Sequence, residues 1–160
     1  MRRLIILFFI VFALSRSAAA QGVAADYAIS NIRLQSNGAA CVDVSGAAAS
    51  ILNLESCYIR ATNSTAITYS SSSSSSRVNL YSCFGDLTAG GTTYFSHSSA
   101  GQMLIDGCQL GNEASSTTNS TISSGSVGVH HCRLGFPITT SGTGGLTMYY
   151  VRHQGPAVTM

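Results

Sequence analysis

The chain has 160 residues, enough for one domain, with 8 basic residues against 6 acidic ones and no lysine. Three of the arginines lie within the first 16 residues, so the remainder is nearly neutral, which excludes a basic surface for nucleic acid or anionic lipid. Charged residues make up only 9% of the chain, but the hydrophobic fraction of 45% is too high for a disordered protein.

The N-terminal segment has the pattern of a secretory signal peptide. Two arginines follow Met1, an apolar run extends from Leu4 to Leu14, and small residues precede Gln21. A basic start, a short apolar run and a small-residue cleavage site are typical of an export leader. We predict a signal peptide over residues 1–20, with an uncleaved anchor as the alternative. The mature chain, residues 21–160, is then secreted or held at the cell surface, without membrane insertion.

The rest of the chain repeats the pattern Φ-x-Φ-x-x-C-x-Φ, in which Φ is an apolar residue. The position that usually holds cysteine recurs at spacings of 25, 26, 25, 24 and 19 residues. The four clearest copies and the two weaker flanking copies begin at Leu52, Val78, Met103, Val127, Tyr27 and Leu146.

This pattern predicts three short strands in each repeat. Φ-x-Φ places two side chains on one face of a strand, and the two residues before the cysteine form a bend into a second strand. A later apolar position fits a third strand, at Val42 with Val44, Ile67 with Tyr69, Ile122, Ile138 and Val158. No coil of this kind buries its own apolar face, so several must stack. We predict an all-β fold, a right-handed parallel β-helix of about five coils of 24–26 residues.

The alternative fold is a leucine-rich repeat, whose core motif is similar. That repeat has a further leucine three residues before the first Φ, where this chain has Ala, Ser or Thr. Its return segments usually include helix, whereas the return segments 70–76 and 115–126 are rich in serine, threonine and glycine, which disfavour helix. The β-helix is therefore the favoured prediction.

Over residues 25–160 the stacked copies resemble the pectate-lyase-like superfamily of right-handed β-helices. The resemblance implies architecture and not activity, because such coils serve lyases, hydrolases, tailspikes, adhesins and surface proteins. The Asn-Thr-Asp, Asp-Asp, Gly-His-Gly and Arg-Ile-Lys signatures of polygalacturonases do not occur in the sequence. We therefore predict no catalytic centre, cofactor or metal. A fragment of such an enzyme is the alternative, with Glu55 and Asp106 on either side of Tyr81 as its carboxylates.

The cysteines of the repeat share one inward position. A buried free cysteine behaves as a small hydrophobic residue, so we predict a ladder of internal thiols formed by Cys57, Cys83, Cys108 and Cys132. Disulfides between neighbours in the ladder are the alternative, and the redox state of Cys41, outside the column, stays open.

Two outward columns are candidate functional surfaces. The bend is expected to bring together Tyr81, Asp106, His130 and Tyr149, either as a weak acid–base or metal patch or as a solvated turn. The position after the cysteine presents a column whose candidate glycan contacts are Tyr58, Phe84, Arg133 and Arg152.

Aromatic rings and guanidinium groups suit sugar rings and acidic glycans, although they also cover ordinary solvent faces. The expected function is a scaffold or adhesion module whose partner is a polysaccharide or a cell-surface glycan. The absence of an evident terminal cap also predicts end-to-end or oligomeric stacking of coils.

Overall fold

The computed structural model describes residues 25–62, 64–87, 93–111 and 119–153. The predicted signal peptide and Val158 lie outside these residues. Every regular element in the described part is a β-strand, and none of it forms a helix long and apolar enough to span a membrane.

The strands are organised in three sheets that the chain visits in turn. The first sheet contains β1 (Ala25–Ser30), β4 (Ser50–Glu55), β7 (Arg77–Tyr81), β10 (Gln102–Asp106), β13 (Ser126–His130) and β16 (Gly145–Tyr149). The second contains β2 (Arg33–Asn37), β5 (Tyr58–Thr62), β8 (Phe84–Leu87), β11 (Gln109–Leu110), β14 (Arg133–Leu134) and β17 (Arg152–His153). The third contains β3 (Val42–Val44), β6 (Ile67–Tyr69), β9 (Phe95–His97), β12 (Ser120–Ile122) and β15 (Ile138–Thr140).

Each strand pairs in parallel with the strand three places further along the chain. The predicted class, a parallel β-helix, is therefore confirmed. A leucine-rich repeat has a single sheet backed by other structure, whereas here all three sides of the described coils are strands, so the alternative fold is wrong. The return segment 70–76 is a loop between β6 and β7, in which Ser71 and Ser76 are buried and share a hydrogen bond of 2.9 Å.

The inward side chains form columns that fill the coil, as the repeat pattern predicts. In the first sheet, Leu54, Leu80, Ile105 and Val129 are all fully buried and occupy equivalent register positions. The third strand of one coil, β9, was not predicted, because its inward residues are Phe95 and His97 rather than two apolar residues.

Gly85 occupies the last Φ position of the copy that begins at Val78, and packing explains why this position has no apolar side chain. A Cβ at this position would overlap the hydroxyl of Tyr94 and would lie 2.5 Å from the carbonyl oxygen of Ile59. Tyr94 is fully buried, and its ring stacks on Phe136 with centroids 5.0 Å apart. The tyrosine side chain therefore fills the volume that an aliphatic residue fills in the neighbouring coils.

Candidate functional site

The corner between the first and second sheets carries three parallel columns of residues, which we call the corner surface. The last residues of the first-sheet strands are neighbours in register, in the order Ser30, Glu55, Tyr81, Asp106, His130 and Tyr149. The bend residues that follow are Asn31, Ser56, Ser82, Gly107, His131 and Tyr150. The first residues of the second-sheet strands are Arg33, Tyr58, Phe84, Gln109, Arg133 and Arg152.

The two outward columns predicted from the sequence are thus the two flanks of one surface. The parallel register places equivalent residues side by side, at the spacing of about 4.8 Å between neighbouring strands. Glu55 and Asp106 lie on opposite sides of Tyr81 in the first column, in the order predicted for the enzyme alternative.

The exposed large hydrophobic side chains of the described residues all lie on the corner surface. They are Tyr81, Phe84, Tyr149 and Tyr150, with 36%, 53%, 60% and 76% of their surface accessible to solvent. Single exposed hydrophobic residues are ordinary, but several on one surface mark an interaction site. The corner surface is therefore the strongest candidate for a binding site.

Histidine and tyrosine side chains pack together at one end of the corner surface. The Nδ1 atom of His131 lies 3.3 Å from Oδ1 of Asp106, and its ring stacks on Tyr150 at a centroid distance of 5.5 Å. The Tyr149 ring packs edge to face against the Tyr150 ring, with centroids 4.9 Å apart, and against the His130 ring, with centroids 6.4 Å apart. The predicted patch is therefore larger than expected, because His131 and Tyr150, both in the bend, belong to it.

Tyr58 is more enclosed than its place in the outward column suggests. The guanidinium carbon of Arg33 lies 4.8 Å from its ring centroid, and its hydroxyl donates a 2.6 Å hydrogen bond to Asp86. Burial and this hydrogen bond raise the pKa of the Tyr58 hydroxyl. Tyr58 therefore positions Arg33 and Asp86, and Phe84 offers the more open ring.

The two predicted arginine contacts lie next to each other at the far end of the same column. Arg133 pairs in register with Arg152, so the two guanidinium groups project from adjacent strands. Arg152 is exposed and Arg133 is half-buried.

The cysteine column lies inside the coil, away from the corner surface. Cys57 and Cys83 are fully buried, Cys108 and Cys132 are nearly so, and all four are free thiols. Burial raises the pKa of Cys57, and the flanking thiols together with burial raise the pKa of Cys108. These groups belong to the packing of the fold and do not face a ligand.

The potential metal ligands among the described residues are histidine, cysteine, aspartate and glutamate side chains. Among them, no three or more His, Cys, Asp or Glu side chains come together in a group that could hold a metal ion. His131 and Asp106 form a histidine–carboxylate contact of 3.3 Å.

No family model, curated protein or solved structure matches the chain. The class of the protein therefore rests on its own architecture, which is that of a parallel β-helix.

Proposed function

We propose that the chain is a secreted or cell-surface scaffold or adhesion module that binds polysaccharides or cell-surface glycans through the corner surface. On this proposal its coil is of the right-handed, pectate-lyase-like kind. The supporting observation is that the exposed aromatic residues Tyr81, Phe84, Tyr149 and Tyr150 share one surface with outward arginines.

The chemistry of the corner surface suits a glycan. An exposed aromatic ring such as Phe84 offers an apolar face to the C–H groups of a sugar ring, and a guanidinium can hold a carboxylate through two hydrogen bonds. The columns run along the coil axis, so successive units of an extended polysaccharide meet successive coils. Because a single contact at a partly exposed surface contributes little free energy, binding depends on several contacts acting together.

Retention of the mature chain on an acidic-glycan column tests the proposal. Replacing Arg133 and Arg152 together by Ala removes up to about 1 kcal/mol for each arginine, so binding should weaken by up to about thirtyfold. Wild-type retention should also fall as salt is added, because exposed charge pairs are screened. The matched control replaces both arginines by Lys, which keeps the charges and should keep part of the retention.

A separate Phe84→Ala variant tests the stacking contribution and should weaken binding to neutral and acidic glycans alike. Retention that is insensitive to all of these substitutions would mean that the corner is only a solvated face. The scaffold would then have no glycan ligand at this surface.

The enzyme alternative makes a different prediction with the same reagents. A fragment of a polysaccharide lyase or glycoside hydrolase should release new chain ends from the polysaccharide, and Asp106→Asn should abolish their release. His131 next to Asp106 is the contact that favours this alternative. Binding without depolymerisation would support the scaffold function.

A further inference from the structure

A shallow groove of about 420 Å³ opens on the outer face of the first sheet, next to the corner surface. Arg77 and Gln102 line one end of it, and Tyr81 and His130 line the other. Its floor lies between them, over the central residues of β10 and β13. Tyr81 and His130 also belong to the corner surface, so the groove and that surface are continuous.

One outward position that lines the groove has no side chain. Gly128 is the central residue of β13 and lies between Leu104 and Thr147 in the register. A Cβ at Gly128 would lie 3.5 Å from both the Leu104 Cδ1 and His130 Nε2 atoms, which are ordinary contact distances. Its backbone is ordinary strand rather than left-handed, so the fold does not require glycine there.

The lining of the groove has a definite charge character. Arg77 is its one permanently charged residue, since no Asp or Glu lines it. The carboxamide of Gln102 can bond hydroxyl groups, Leu104 provides an apolar floor, and Tyr81 provides an exposed ring. This combination matches a sugar that has a polar rim, an apolar face and a negative charge.

We propose that this groove binds a short segment of an anionic glycan, with a carboxylate or sulfate held by Arg77 and a sugar ring resting between Leu104 and Tyr81. Tyr81 lies four residue steps along the strand from Arg77, about 13 Å away. The groove volume falls in the range of about 300–1,000 Å³ typical of small-ligand sites. The inference deepens the proposed glycan-binding function and rests on it. A glycan lying along the corner surface would place a branch or end in the groove.

Calorimetric titration of the mature chain tests the proposal with three probes of equal length. They are a glucuronate-containing tetrasaccharide, the same tetrasaccharide with its carboxylates reduced to alcohols, and a sulfated neutral tetrasaccharide. Arg77→Gln should weaken binding of the two anionic probes about five- to tenfold, and it should leave the reduced probe unaffected. Of the two anionic probes, the one that loses more affinity in Arg77→Gln identifies whether Arg77 holds a carboxylate or a sulfate.

Gly128→Leu is the decisive second variant. It places a bulky side chain in the groove, so it should abolish binding of every probe that uses the groove. The melting temperature, measured in parallel, should not fall, because leucine has a higher strand propensity than glycine. Gly128→Ala is the matched control, because a single methyl group fits at contact distance and should weaken binding only slightly.

The outcomes separate this proposal from the function on which it rests. If tetrasaccharide binding is unchanged in Gly128→Leu but falls when Arg133 and Arg152 are replaced, the groove proposal is overturned and the corner function stands. If the wild-type chain binds none of the probes and no acidic polysaccharide, both are overturned. Binding that is lost in Gly128→Leu and selectively weakened in Arg77→Gln supports the groove.

Discussion

His97 is a fully buried histidine, and both of its ring nitrogens are hydrogen-bonded. The backbone N–H of Ser99 donates to Nδ1 over 3.2 Å, so the proton of the neutral ring is on Nε2, which lies 3.3 Å from the carbonyl oxygen of Ser126. The ring also packs against Tyr69 with centroids 4.9 Å apart. Protonation would break the first bond and bury a charge, and burial accordingly lowers the pKa of His97.

This arrangement predicts that the protein loses stability in mild acid. The folded-state pKa of His97 lies below the unfolded value of about 6.5, so below that pH the unfolded chain binds the additional proton. Stability is therefore complete above about pH 6.5 and is lost as the pH falls through the folded pKa, by up to about 1.4 kcal/mol per pH unit. Urea unfolding at several pH values measures this dependence.

His97→Phe is the informative variant, since it keeps an aromatic ring beside Tyr69 but does not titrate. It leaves the Ser99 N–H and the Ser126 carbonyl without their partner, so it should be less stable at neutral pH by about 1–3 kcal/mol for each unpaired group. Its free energy of unfolding should nevertheless depend less on pH than that of the wild type. Parallel pH dependences in the two proteins would show that His97 is not the responsible group.

At the scale of the element, the bend before each second-sheet strand has the same backbone conformation in every coil. The six bend residues have φ values from 51° to 63°, a left-handed conformation that is natural for glycine and tolerated by asparagine. Gly107 is the glycine of the bend column. The bends of the other coils hold non-glycine residues in the left-handed conformation, which lowers their stability. Side chains at these positions point into solvent along the corner surface, where His131 and Tyr150 join the aromatic cluster.

Ser82 allows this cost to be measured, because its φ is 51° and its side chain is exposed. A β-branched residue is strongly disfavoured in the left-handed region, so Ser82→Val should be less stable than Ser82→Gly by about 1–2 kcal/mol. Thr121→Val, at an exposed position in β12, is the control and should change stability by less than about 0.5 kcal/mol. Equal stability of the Val and Gly variants at position 82 would contradict the left-handed bend.

The elements also show which features the sequence can predict. The Φ-x-Φ-x-x-C-x-Φ phase predicts the inward columns and both flanks of the corner, because side-chain alternation along a strand is strict and parallel register aligns equivalent residues. The left-handed bend is not predicted, since its column contains serine, histidine and tyrosine as well as Gly107. The groove is not predicted either, because its lining includes Gly128, a position that the repeat leaves unspecified.

At the scale of the whole molecule, each inner coil is joined by hydrogen bonds to the coils on both sides of it. The thiol of Cys108 lies 3.5 Å from the carbonyl oxygen of Leu80 in the preceding coil, and the backbone N–H of Cys108 donates to the Cys132 thiol over 3.4 Å. The N–H of Cys83 donates to Cys108 in the same way over 3.3 Å. A solenoid of this kind opens a coil only by breaking such contacts on both sides.

The internal ladder therefore predicts thiols that are protected by the stack as a whole. Cys57, Cys83, Cys108 and Cys132 should react with an aromatic disulfide reagent orders of magnitude more slowly in buffer than in denaturant, because the reagent reaches these buried sulfur atoms only when the coils open. Cys41 is half-buried, and burial raises its pKa to about 11, so it should also react slowly near neutral pH.

An added exposed thiol gives the reference rate for this experiment. Ser98 is exposed in the loop after β9, so a Ser98→Cys variant should gain one fast-reacting group while the five native cysteines stay slow. The parallel stacking of the column favours free thiols, because side chains that leave adjacent strands in the same direction do not readily reach the dihedral angle of a disulfide. Peptide mass mapping that found Cys57 bridged to Cys83, or Cys108 to Cys132, would contradict this account, since a bridge would join neighbouring coils by a covalent bond.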